Sequence, residues 1–249
     1  MNNVKDMLKA GNTAIGTTAS LSSPVDFLAD SGFDFILFDT QHDSVSIKEL
    51  KDQVQAMKGK KAIPIIRTGS NDQAQICYAL DIGAKGIVVP MVNTKEEAAN
   101  MVQWCKYPPE GKRSSAGMRG EWGKFENYRK YMDAVNREVL VIPMIETVES
   151  INNLDEILSV PGIDVLLVGP SDLSINLDIT LDYLNPKYGK ALDKIAAACK
   201  KAGVVPGMYF IPGEQDPNTF VERGFKLFTL PWNKWATKGI KNGLETIKR

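Results

Sequence analysis

Eight short apolar runs recur along this chain, and they restrict its fold more than any other feature. They are Ala14–Thr17, Phe35–Phe38, Ile63–Ile66, Gly86–Val89, Leu140–Met144, Val165–Val168, Val204–Met208 and Leu227–Leu230. Most span four or five residues and are apolar throughout instead of alternating, as strands buried on both faces of a parallel sheet are. Helical patterns fill the intervals: Pro24–Ser31, Ser46–Met57, Asp72–Ile82, Thr94–Cys105, Val148–Leu158, Tyr188–Lys201, Gln215–Arg223 and Trp235–Ile247. Gly32, Gly83, Gly203 and Gly224 each stand just before a strand, where a left-handed helix cap is needed. This alternation, with no second regime of composition, predicts one (β/α)8 TIM barrel of parallel strands over residues 1–249. An open doubly wound sheet is the alternative, but the Gly-rich stretches contain no GxGxxG and no P-loop. The length of 249 residues suits one barrel, and an apolar fraction of 43% suffices for its core.

One excursion interrupts the rhythm. Tyr107–Gly123 is rich in Gly, Pro and Ser, and a further helical stretch, Lys124–Asn136, comes after it and before the fifth run. A loop of that length reads equally as plain surface, as an active-site lid or as a subunit contact.

Thirty basic and thirty acidic side chains cancel, so no net field draws the chain to nucleic acid or to a membrane. No run reaches the roughly 18 apolar residues of a membrane span. The opening NNVKDMLKAGN has no apolar h-region, so no secretory signal is expected and the protein is placed in the cytoplasm. Cys77, Cys105 and Cys199 are far apart and odd in number, which argues against a disulfide framework or a four-cysteine zinc site.

Barrel chemistry sits where strands end. The second run leads into Asp39-Thr-Gln-His42, the third into Arg67, the fifth into Glu146 and the sixth into Gly169-Pro-Ser-Asp172. Five ionisable groups from four separate stretches thus converge on one rim. His42, the only histidine, suits proton transfer near neutral pH. Asp39, three residues earlier, can fix its tautomer or cap the next turn. Arg67 can hold a carboxylate or a developing enolate oxygen, or else pair with Glu146 or Asp172. Glu146 and Asp172, from neighbouring strands, repel unless a proton or cation lies between them. Oxygen ligands suit a hard divalent ion, Mg2+ or Mn2+; a metal-free acid pair is the competing reading. Gly169 and Ser171 let backbone N–H groups approach a substrate carboxylate. Schiff-base chemistry lacks its lysine, because Lys61, Lys85 and Lys226 all precede their strands. No GxSxG elbow appears.

These stretches resemble the HpcH/HpaI family of class II, metal-dependent 2-oxo-acid aldolases. The resemblance rests on Gly32–His42, Ile65–Arg67 with Asn71-Asp72, Ala79–Gly86, Val88-Val-Pro90, Tyr107-Pro-Pro109, Ile145–Thr147 and Val168–Ser174. In order and spacing it spans about residues 14–230. It implies His42 as acid/base, Asp39 as its partner and Arg67 as enolate stabiliser. Glu146 and Asp172 would hold the divalent metal, with Co2+ a further candidate. Gly169, Ser171 and Asp172 would bind the 2-oxo acid. Asp81 matches a position that reaches a neighbouring subunit's histidine region, though it also reads as an exposed helix-end residue. The partners implied are a 2-oxo acid such as pyruvate, an aldehyde, and further copies of the chain in a homo-oligomer, commonly a hexamer.

Several positions depart from the family pattern. Met144 stands where a glutamine is common, Thr18 where an aromatic is common, and Gln41 where a glutamate is usual. Leu230-Pro-Trp232 replaces a smaller turn. The pocket for the second substrate is therefore expected to be altered. The implied reaction is reversible cleavage of a 4-hydroxy-2-oxo acid. The alternatives are an acyl-CoA lyase, an oxaloacetate decarboxylase-like enzyme, or a non-catalytic barrel that binds a 2-oxo acid.

Overall fold

The computed structural model describes residues 2–118, 120–213 and 215–247. Its centre is a closed barrel of eight strands in sequence order, every neighbouring pair parallel and β8 closing on β1. The strands are β1 Ala14–Ala19, β2 Phe35–Asp39, β3 Ile63–Arg67, β4 Gly86–Val89, β5 Leu140–Ile145, β6 Val165–Val168, β7 Val205–Met208 and β8 Leu227–Thr229. Each lies on one of the eight apolar runs. The four glycines expected as helix stops all have positive φ, from 70° at Gly203 to 116° at Gly83.

Burial of the strands, broken chiefly at Ile15 and Thr18 of β1, has two causes, one on each face. Alternate residues, among them Phe35, Leu37, Ile65, Ile142 and Leu167, meet in the barrel interior. The residues between them, such as Ile36, Phe38, Ile66 and Leu166, pack under the surrounding helices. A Cβ on Gly16 would lie 2.3 Å from the Phe35 ring; the missing side chain on β1 is what lets that ring fill the interior.

The helices are α1 Asn3–Lys9, α2 Val25–Asp30, α3 Lys51–Ala56, α4 Gln73–Asp81, α5 Lys95–Cys105, α6 Tyr128–Glu138, α7 Val148–Asn152, α8 Leu154–Leu158, α9 Pro170–Asn176, α10 Pro186–Ala202, α11 Pro217–Glu222 and α12 Trp232–Glu245. Four regions differ from the sequence reading, one of them the short helix α9, which no helical pattern marked. The stretch Val148–Leu158 is two helices, because Asn153 ends α7 at φ −97°, ψ 12° and donates its amide to the Asn93 carbonyl at 2.8 Å. The predicted Ser46–Met57 helix begins only at Lys51. Helix α1 has no counterpart in the sequence pattern; it puts Val4 and Leu8 into the interior cluster and so closes the floor.

The C-terminal stretch covers neither floor nor side completely. On α12 no described residue is buried. Trp235 stacks on Phe33 at 6.2 Å, while Ile240 and Leu244 stay exposed. No helix among the described residues is long and apolar enough to cross a membrane.

Candidate active site at the barrel mouth

The β2–β3 register sets Asp39 directly beside Arg67 at the carboxyl end of the barrel. Their side chains form a bidentate pair: Arg67 Nε donates to Asp39 Oδ1 at 2.8 Å and Nη2 to Oδ2 at 2.5 Å. The guanidinium is buried, with only 3% of the residue exposed. Tyr209, the first residue after β7, lies under it with its ring centroid 4.3 Å from Cζ, and its hydroxyl accepts from Nη2 at 3.1 Å. Among the described residues, Nη1 meets only the Met144 thioether, at 3.8 Å, a weak acceptor. That nitrogen faces the barrel axis with its hydrogen-bonding capacity nearly unused.

Electrostatics reflect this arrangement. Burial pushes the Asp39 carboxyl up, but the hydrogen bonds and charge of Arg67, the Gln41 N–H and nearby His42 more than offset it, so the group ends below its ordinary value. Burial pushes the Tyr209 phenol up to about 12 despite the opposing pull of Arg67, so it stays protonated.

Glu146 is 2% exposed, immediately after β5. Its Oε2 accepts from the Met91 N–H at 2.9 Å. Met91 adopts a φ of 54°, costly for a residue with a side chain, and bonds elsewhere in the β4–α5 loop offset that cost. The Val92 N–H donates to the Met144 carbonyl at 3.1 Å and the Thr147 hydroxyl to Asn93 Oδ1 at 2.5 Å. Oε1 accepts no hydrogen bond among the described residues and fills the place where Gly169 would carry a Cβ, only 2.2 Å away. The carboxyl titrates above its ordinary value, first from burial and then from the charge of Asp172. Asp172 lies in the first turn of α9, which opens with Pro170 at a helix-starting position.

The structure thus brings Asp39, Arg67, Glu146, Gly169, Ser171 and Asp172 to one end of the barrel, with His42 on the adjoining loop. Two expected contacts are different. Asp39 was expected to orient His42, but both its oxygens serve Arg67, with Oδ1 also accepting from the Gln41 N–H at 2.9 Å. Among the described residues it makes no hydrogen bond to His42, which is exposed. The cause is register: Arg67 is Asp39's neighbour in the sheet, whereas His42 lies three residues beyond the strand. The possible ion pairs of Arg67 with Glu146 or Asp172 give way to Asp39 for the same reason. Asp81 is not at the mouth of this chain. It ends α4, a helix length away, and accepts from the buried Arg113 at 3.0 Å. Tyr209 and Met91 escape the sequence reading, although Tyr209 comes directly after an apolar run, which is the signal that identified the other site residues.

Among the described residues no group of three or more His, Cys, Asp or Glu side chains gathers to hold a metal. Two carboxylates, one buried with an oxygen unbonded, fit a hard divalent cation that keeps positions for water and substrate; they do not fit a closed structural site.

The model of the HpcH/HpaI aldolase/citrate lyase family matches residues 19–233. A 4-hydroxy-2-oxo-heptane-1,7-dioate aldolase of Shigella sonnei (strain Ss046) is 32% identical over 225 residues, covering 90% of this chain and 86% of that protein. An HpcH/HpaI aldolase of Desulfitobacterium hafniense DCB-2 superposes with a TM-score of 0.86 at 30% identity, over 98% of this chain and 96% of that one. A family protein of Burkholderia cenocepacia J2315 reaches 0.87 at 26% identity, over 99% of both chains. Agreement of this extent, in sequence and in shape, makes the protein a member of the HpcH/HpaI aldolase/citrate lyase family and a carbon–carbon lyase.

Proposed function

We propose that the protein cleaves a 4-hydroxy-2-oxo acid reversibly into pyruvate, or a related 2-oxo acid, and an aldehyde, with the help of a divalent cation held by Glu146 and Asp172. The supporting observation is the buried Glu146, which keeps one oxygen unbonded and senses the charge of Asp172, at the same barrel mouth as the nearly unused Nη1 of Arg67. When bound, the cation would polarise the ketone of the 2-oxo acid.

The chain's own residues supply the rest. Backbone N–H groups of Ser171 and Asp172, in the first turn of α9, are oriented to receive the substrate carboxylate. His42 takes the proton from the C4 hydroxyl, directly or through one water. As the C4–O bond becomes a carbonyl, the C3–C4 bond breaks and its electron pair is left on the enolate of the 2-oxo acid. Arg67 Nη1 donates to that enolate, and Asp39 and Tyr209 keep the guanidinium from turning away. Proton return to C3 completes the turnover.

Exchange of the pyruvate methyl protons with deuterated solvent, monitored by NMR, tests the reading without any aldehyde. Exchange is expected with Mg2+ or Mn2+ and lost with chelator. A protein that only binds 2-oxo acids would show none with either ion, and the proposal would be abandoned.

A further inference from the structure

A cavity of about 460 Å3 adjoins the Arg67 site, between the ends of β1, β2 and β7 and the start of α12. Asp39 and Tyr209, which grip Arg67, form its inner wall. It is therefore the space into which the aldehyde half of a substrate would extend from the C3–C4 bond.

Its lining is hydroxylic. Thr18, Ser20, Ser22 and Ser23 come from β1 and the loop after it, and Asn233 and Asp43 face them. Ser20 Oγ lies 3.1 Å from Ser22 Oγ and 3.3 Å from Ser23 Oγ, and the Ser20 N–H donates to Ser23 Oγ at 3.0 Å. The two Ser–Ser hydrogen bonds occupy two of the three hydroxyl protons, which leaves one O–H donor and several lone pairs for a ligand. Trp232 adds one flat apolar wall. No Lys, Arg or His is among the described residues lining the space. The charge of Asp39 is met by Arg67, whereas Asp43 has no ion-pair partner among the described residues.

These features rank the aldehydes the cavity can take. A carboxylate tail would find no cation and would face Asp43, a like-charge encounter that counts against it. An alkyl tail would displace water from the hydroxyls without replacing its hydrogen bonds. A tail bearing hydroxyls satisfies donors and acceptors together. The heptane-1,7-dioate in the name of the Shigella sonnei relative implies, on cleavage between C3 and C4, an aldehyde that ends in a carboxylate; this cavity is built for something else. Resting on the aldolase reading above, we infer that the cavity is the aldehyde subsite and that it selects a neutral polyhydroxylated aldehyde over an acid-tailed or alkyl one.

The test measures kcat/KM for addition of pyruvate to glyceraldehyde, butanal and succinic semialdehyde, with pyruvate proton exchange monitored in parallel. Glyceraldehyde is expected to lead by on the order of tenfold or more, mainly through KM, since one or two hydrogen bonds carry that much discrimination. Asp43→Lys, at an exposed loop position, is expected to raise the ratio of succinic semialdehyde to glyceraldehyde by about tenfold. Proton exchange together with an acid or alkyl aldehyde that reacts equally well or better would overturn the selectivity and leave the aldolase reading standing. Absence of exchange would overturn both.

Discussion

The two ends of the barrel bury polar groups for opposite purposes. At the floor, buried Asn2 donates its side-chain amide to the carbonyls of Lys85 and Glu138, at 3.1 and 2.9 Å, and its N–H to Glu138 Oε2 at 2.7 Å. Lys5, nearly as buried, reaches the Val139 carbonyl at 3.0 Å and Asp164 at 2.9 Å. Burial pulls its pKa down against the opposing pull of Asp164. These bonds tie α1 across the bottom strands, and each polar group there serves closure. At the mouth, Arg67 keeps one nitrogen almost free, Glu146 keeps one oxygen unbonded, and Met91 holds a strained backbone to position it. Buried polarity that is fully satisfied stabilises a fold; polarity left partly open at a cost in stability marks where a ligand completes the set.

Substitutions at the two ends should therefore part stability from activity. The largest effect is expected for Arg67→Ala. It should lower turnover at least about 10²-fold and also lower the melting temperature, because the half-buried Asp39 is left without its partner. Turnover near that of the parent would remove Arg67 from the reaction.

Asp39→Asn comes next, with a loss of about 3 kcal/mol in denaturant unfolding at neutral pH. The sign of its pH dependence comes from the lowered carboxyl. Stabilisation by the pair is complete above the ordinary carboxylate value, about pH 4, and fades as pH falls through the lower folded-state value. The gap between parent and variant should accordingly narrow in acid and stay constant from about pH 5 to 8.

At the floor, Asn2→Ala should cost about 2 kcal/mol, since it removes both amide hydrogen bonds and leaves the Glu138 carbonyl without a partner, while kcat stays within about twofold. A large loss of kcat there would break the contrast between the ends. The smallest expected effect is Gly169→Ala. Its Cβ would fall 2.2 Å from Glu146 Oε1 and push that carboxylate aside, for a loss of turnover on the order of tenfold or more.

How legible each part was in the sequence depended on range. The eight strands were readable because continuous burial leaves a local signature, as in Val165–Val168. Helix α1 was not, since its two interior residues, Val4 and Leu8, stand among polar neighbours and gain meaning only once a barrel floor lies beneath them. The ionisable residues of the mouth could be found by inspecting the first few positions after each strand. Their pairings could not: Asp39 meets Arg67 through the register of two strands, which no local pattern encodes. Tyr209 was equally accessible to that rule, and its role depends on the same cross-barrel packing.

The most direct test titrates Mn2+ into the protein by calorimetry, for the parent chain and for Glu146→Gln and Asp172→Asn, with folding checked by circular dichroism. One ion per chain should bind the parent, and either folded variant should lose at least about tenfold in affinity. Unchanged binding in both variants would contradict the assignment of those two acids and, with it, the chemistry built on them.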